Sequence, residues 1–203
     1  MADLNNMTMK EEEKNPLFDL YMMLHDLIYI LGGIILLFVF CVRLVRVDGK
    51  SMLPTLQNMD YLVLQSNVIM GELEYGDVIV ASEESFRSGE PIVKRVIATE
   101  GQEVDIRYEG GVGTVYVDGV ALEEPYILEE MEMVYYQQIS FPMKVSEDCI
   151  FVMGDNRNDS ADSRHIDMGE IPEERVLGKV LFLIFPGRNE AGEREFSRIG
   201  VVH

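Results

Sequence analysis

A serine and a lysine carry the most specific chemistry in this chain. Ser51 stands in Gly49-Lys50-Ser51-Met52-Leu53-Pro54-Thr55-Leu56, directly after the most apolar segment of the sequence. A serine hydroxyl is a weak nucleophile until a neighbouring base takes its proton. Lysine is a base only where its charge has been removed, because an amine of ordinary pKa near 10.4 is almost wholly protonated at neutral pH and burial is what favours the neutral form. Lys94 sits inside the apolar run Ile92-Val93-Lys94-Arg95-Val96-Ile97-Ala98. Strand alternation puts Ile92, Lys94 and Val96 on one face, opposite Val93, Arg95 and Ile97. One basic residue then shares the core face, and only lysine can shed its proton there. The run also fits an exposed sheet edge with two solvated cations, and alternation alone does not choose between the two.

Other constellations are weaker. Gly49-Lys50-Ser51 ends like a phosphate-binding loop, but Leu44 occupies the place of the glycine that loop requires. A Ser-His-Asp triad would need His165 with Asp155, Asp159 or Asp162, since His25 precedes the apolar segment and His203 is the last residue. His165 is equally well read as a surface loop residue. Asp155-Asn156-Arg157-Asn158-Asp159 resembles the start of a calcium loop, yet Arg157 takes a ligand position and no glycine follows. No metal and no cofactor is expected.

The elements that would position these residues begin with Leu27–Val42, sixteen residues without a charge. Extended through Arg43 and Arg46 to Val47, the run predicts a transmembrane anchor over 27–47, with the arginines snorkelling to the surface. A cleaved signal peptide fits poorly, because acids precede the run and Val-Arg-Val-Asp follows it. A buried soluble helix would be amphipathic, and this run is apolar all round. Lys10 and Lys14 on one side balance Arg43 and Arg46 on the other, so charge does not orient the anchor. Residues 1–26 read as a polar tail.

Beyond the anchor, short apolar runs alternate with turn signals. Strands are predicted at 61–64, 77–81, 92–97, 103–107, 115–117, 120–122, 149–153 and 176–185, with Asp118-Gly119 as a type I′ hairpin turn. Residues 122–148, rich in Glu, Met and Tyr, read as an excursion from that core. The expected fold is therefore mainly β: an anchor helix followed by an antiparallel sheet, folded over or closed into a partly open barrel, over 48–203. At 203 residues and 47% apolar content the chain can build one full core. The net charge of −19 makes nucleic acid an unsuitable partner. Cys41 and Cys149 lie too far apart in kind and place to imply a disulfide.

Taken in order, Ser51-Met52-Leu53-Pro54-Thr55-Leu56, Gly76-Asp77-Val78-Ile79-Val80, Lys94-Arg95-Val96-Ile97 and the stretch from Gly154-Asp155-Asn156-Arg157 to Ser163-Arg164 match a pattern. The chain resembles bacterial type I signal peptidases over residues 27–186, and is similar to their Gram-positive single-span members. The resemblance implies Ser51 as nucleophile, Lys94 as general base, and Ser160 as the residue that orients the lysine amine. Asp155, Arg157, Asp162 and Arg164 would form a supporting polar network. Val47, Met52, Leu56, Ile92 and Val93 would line pockets for small substrate side chains, although each could equally be ordinary core.

The implied activity is removal of signal peptides from secreted preproteins at Ala-X-Ala sites through an acyl-enzyme. The implied setting is the plasma membrane beside the translocation machinery, with membrane lipid around the anchor, the N-terminus cytoplasmic and the catalytic domain outside. Gly49 departs from members that carry a serine there to help hold the oxyanion. Self-cleaving repressors with a related Ser-Lys fold lack a membrane span. An inactive anchored binding protein would not be expected to keep both Ser51 and Lys94. A signal peptidase specialised for particular clients has the same sequence features as a general one.

Overall fold

The computed structural model describes residues 16–82, 89–133, 138–189 and 191–203. The chain divides into two compact units, 1–39 and 40–203. The first contains nearly all of helix α1, Pro16–Phe40, none of whose residues is buried. At 1.5 Å per residue its 25 residues reach roughly 37 Å, and it is long and apolar enough to cross a bilayer.

Both ends of the predicted anchor move. The helix starts earlier, with Pro16 in the first turn, where its missing N–H costs nothing, and Asp19 in the same turn to complement the helix dipole. It also stops earlier. Val42–Arg46 is strand β1, and Val47 is buried in the core of the second unit. The apolar run continues across this boundary, so hydropathy alone could not place it. What places it is pairing, because Val42 to Arg46 form an antiparallel ladder with Gln65 to Tyr61, a pleated setting that suits β-branched valines.

The second unit is built on two antiparallel sheets. The larger, eight-stranded among the described residues, runs in the order β1, β2 (Tyr61–Ser66), β12 (Val176–Phe185), β3 (Val78–Ala81), β4 (Ile92–Thr99), β10 (Cys149–Met153) and β11 (Ile171–Pro172), with β13 (Gly200–Val201) on β12. It curls into a partly open barrel, the architecture expected from the sequence. Its interior is a cluster that includes Val47, Met52, Leu56, Leu62, Leu64, Val80 and Val180. A second cluster, with Ile79, Val96, Ile150 and Val152, packs elsewhere on the same strands. Strand β4 is consequently buried through most of its length.

The smaller sheet holds β5 (Glu103–Glu109), β6 (Val112–Val117), β7 (Val120–Ala121), β8 (Met131–Glu132) and β9 (Met143–Lys144). Asp118 and Gly119 have φ of 51° and 79°, as the predicted type I′ turn requires. Residues 122–148 are tied into this sheet through the β8 and β9 pairings. Within that segment, residues 134–137 lie outside the described residues.

Candidate active site

The loop that carries Ser51 is fixed at both ends. Val47 N–H donates to the Asp60 carbonyl at 2.8 Å, and Met59 N–H to the Val47 carbonyl at 2.9 Å. Asp60 is fully buried and accepts from Gln57 N–H, Gly187 N–H and the Arg198 guanidinium. Gly49 has φ +114°, a region that L side chains rarely adopt. A serine at this position would therefore be strained in the present backbone, which gives the departure at Gly49 a local reason.

Lys94 enters from β4. Its amine donates to Ser51 Oγ at 2.7 Å and to the Val93 carbonyl at 3.0 Å. The lysine is only 3% exposed, whereas Ser51 is half-buried at the cleft wall. Alternation predicted one basic residue of β4 on the core face, but Arg95 is also buried, at 1% exposure. It is accommodated because Asp155 accepts from its Nε at 2.8 Å and its Nη2 at 2.7 Å, the Gly76 carbonyl accepts from Nη1 at 2.8 Å, and the Tyr126 ring stacks 4.0 Å from the guanidinium.

The segment from Gly154 to Arg164 closes the site from the third side. Asp155 Oδ2 also accepts from Thr55 Oγ1 at 2.5 Å, so one carboxylate ties β4 to the loop that carries Ser51. Asn156 adds two tethers, with its N–H on the Ser51 carbonyl at 3.0 Å and its amide on the Lys50 carbonyl at 3.2 Å. Asp162 accepts from Arg164 Nε at 2.8 Å and from Gly154 N–H at 2.9 Å. Burial opposes its charged form, but Arg164, the Gly154 N–H and Lys94 together hold this carboxyl below the usual range.

Arg157 pairs in two-pronged fashion with Glu124, at 2.6 Å for each contact. Burial works against its charge, and pairing with Glu124 more than offsets that. Ser160 Oγ is buried and has no hydrogen-bond partner among the described residues, so the expected contact with the Lys94 amine is not formed here. Gly154 lies against this hydroxyl: a Cβ there would come within 2.3 Å of Ser160 Oγ and 2.4 Å of the Ser51 carbonyl.

Ser51 lies between two clefts. One, of about 520 Å³, is lined by Val45, Val47, Met52, Val80, Pro91 and Val93, with Arg46, Asp48 and Glu90. The other, of about 310 Å³, is lined by Gly49, Lys50, Ile92, Lys94 and Ala161, with Asp48 and Asp159. Four of the five expected pocket residues, Val47, Met52, Ile92 and Val93, therefore border the clefts. Leu56 is fully buried in the core cluster behind them and lines neither.

Sequence reasoning brought Ser51, Lys94, Asp155 and Asp162 together, but did not assign Thr55, Arg95, Asn156, Glu124 or Tyr126 to the site. Arg95 carried a signal, as an unavoidable second cation in an apolar strand. Thr55 and Asn156 stood inside the ordered motifs without an assigned role, whereas Glu124 and Tyr126 act through tertiary contacts that leave no local pattern.

A serine hydroxyl and a buried amine at hydrogen-bond distance, braced by buried ion pairs beside a cleft of mixed polarity, form an arrangement compatible with peptide-bond hydrolysis. The profile of the family described as signal peptidase, peptidase S26, matches residues 20–185. A probable signal peptidase I-1 of Synechocystis sp. is 37% identical over 148 residues, covering 69% of this chain and 69% of its own length. Signal peptidase I T of Bacillus subtilis is 34% identical over 146 residues, 69% of this chain and 72% of that protein. A crystal structure of a signal peptidase I from Enterococcus faecalis aligns with 54% of this chain and 97% of its own, at 28% identity and a TM-score of 0.42. The chain belongs to the signal peptidase family, peptidase S26, and is a peptidase.

Proposed function

We propose that this protein is a membrane-anchored endopeptidase that removes signal peptides from secreted preproteins, cutting after small residues at Ala-X-Ala sites. The observation that carries the reading is the 2.7 Å approach of Lys94 Nζ to Ser51 Oγ, with the lysine buried and the serine open to a cleft walled in part by Val47, Met52 and Val93. Desolvation disfavours the ammonium. In its neutral form the amine accepts the Ser51 proton, and Oγ attacks the carbonyl carbon of the last signal-peptide residue.

The resulting oxyanion is held by the Ser51 backbone N–H. As the tetrahedral species collapses, the C–N bond breaks and the protonated lysine returns its proton to the leaving amine. This yields an ester on Ser51 and the free N-terminus of the mature chain. Neutral Lys94 then takes a proton from water, hydroxide adds to the ester, and Ser51 leaves with that proton. Ser160, whose buried hydroxyl makes no hydrogen bond among the described residues, is left available to steady the amine during these transfers. The ion pairs of Asp155 and Asp162, with Arg157, keep the three segments in register rather than reacting.

The substrate binds extended along the larger cleft, with small side chains directed at Val47, Met52 and Val93. Helix α1 anchors the enzyme in the plasma membrane, with its N-terminus cytoplasmic and residues 48–203 outside, near the translocation machinery. The test uses detergent-solubilised protein and a preprotein bearing an Ala-X-Ala site, compared with Ser51→Ala and Lys94→Ala. The parent should release the mature chain and both variants should leave the preprotein intact. Cleavage by either variant at the parental rate would refute the dyad.

A further inference from the structure

The segment that follows β7 reaches across to the catalytic side of the molecule. Glu124 accepts both Arg157 contacts and also the Tyr126 hydroxyl at 2.9 Å, while the Tyr75 hydroxyl meets Tyr126 at 3.1 Å. The Tyr126 ring lies between two buried guanidinium groups, 4.0 Å from that of Arg95 and 5.9 Å from that of Arg157. Arg95 directly follows Lys94 in β4. Arg157 Nε donates to the Gly154 carbonyl at 3.1 Å, and Arg164 donates to the Arg157 carbonyl at 2.7 Å. Glu124 and Tyr126 thus hold the outer ends of two cations whose inner sides support the Ser-Lys pair.

The charges are also linked. Asp162 lies in the field of both Arg157 and Lys94. Among the described residues, the charged groups on the elements around Lys94 include Arg164 on Asp162, Arg95 on Asp155, and Asp48, Lys50 and Asp159 along the cleft. Arg95, Arg164 and Arg157 are each matched by a carboxylate, and for Arg157, which reaches Lys94 only through Asp162, that carboxylate is Glu124, which lines neither cleft.

We propose that Glu124 is a positioning residue for the base: it neutralises and fixes buried Arg157, so that the positive charge does not bear on Lys94. The proposal rests on Lys94 being the base. Glu124→Gln keeps the shape of the side chain and leaves Arg157 unmatched. A positive potential then disfavours the lysine ammonium, and the amine is neutral at lower pH.

The experiment is the pH profile of kcat/KM for a signal-peptide substrate, whose acid limb reports the free enzyme's base. In E124Q the acid limb should move to lower pH by about half a unit, with KM unchanged. In R157Q the limb should move to higher pH, and in the double variant E124Q/R157Q it should return to the parental position. A uniform loss of rate in E124Q with the limb unmoved would mean a merely structural role and overturns the proposal. Should E124Q fail to fold, R157Q and the double variant carry the test, and coincident limbs in those two overturn it equally. Lys94→Ala in the same assay separates the two ideas. Retained activity there removes the dyad and this proposal with it, whereas an inactive Lys94→Ala beside an unmoved E124Q limb removes this proposal alone.

Discussion

Replacing Asp155 by alanine tests the frame of the site most directly. The carboxylate is fully buried, takes two guanidinium bonds from Arg95 at 2.8 and 2.7 Å, and accepts the Thr55 hydroxyl at 2.5 Å. Removing it leaves Arg95 with the Gly76 carbonyl and the Tyr126 face as partners for a charge with almost no access to water. Breaking a buried pair from one side costs about 3–5 kcal/mol, and the stranded Thr55 hydroxyl adds about 1 kcal/mol.

In a domain of this size each kcal/mol lowers Tm by about 2–4 °C, so the single variant should melt roughly 8–24 °C below the parent. Circular dichroism of the detergent-solubilised protein would read this. The double variant Arg95→Met/Asp155→Leu removes both charges together and should recover most of the loss, because no buried ion is left alone. A single variant that melts within about 2 °C of the parent, or a double variant less stable than the single, would refute the reasoning.

Gly154→Ala should abolish cleavage and lower Tm, because its Cβ would sit 2.4 Å from the Ser51 carbonyl and 2.3 Å from Ser160 Oγ; a normal turnover rate would show that the close approach does not matter. Leu56→Ala should cost about 2–5 kcal/mol in urea unfolding while leaving the preference for small substrate side chains unchanged, since Leu56 lines neither cleft. Asp162 has a folded-state carboxyl held below its unfolded value, so its contribution is fully present above about pH 4 and disappears as pH falls through the lowered value. The stability gap between parent and Asp162→Asn should accordingly be large at pH 7 and close towards pH 2. A gap that stays constant would exclude this carboxylate as a source of acid sensitivity.

Much of the strand pattern was legible because the second unit alternates short apolar runs with turns. The runs at 149–153 and 176–185 coincide with β10 and β12, and Asp118-Gly119 turns as its composition demands. The helix end was not legible, since Cys41 to Val47 is as suitable for a bilayer as for a sheet and only pairing with β2 decides it. For β4, period-two reasoning gave one buried cation where there are two. A strand covered on both sides has no solvent face, and Arg95 is retained by Asp155, sixty residues further on. The Ser51 and Lys94 pairing was accessible through residue type and the ordered motifs. Glu124 and Tyr126 were not, because their contacts with Arg157 and Arg95 depend on how a loop returns over the sheet.

The position of β12 between β2 and β3 has a consequence for when this enzyme can first act. Both neighbours of β12 lie far earlier in the sequence, and topologies dominated by such pairings fold slowly. The ladder that joins the Ser51 half of the sheet to the Lys94 half uses residues 176–185. A chain emerging from its N-terminal end therefore lacks that bridge until residues 176–185 have been released. The same late closure brings Ser51 and Lys94 together, so, with these two as the proposed dyad, cleavage activity should arise in the final kinetic phase of refolding and not before.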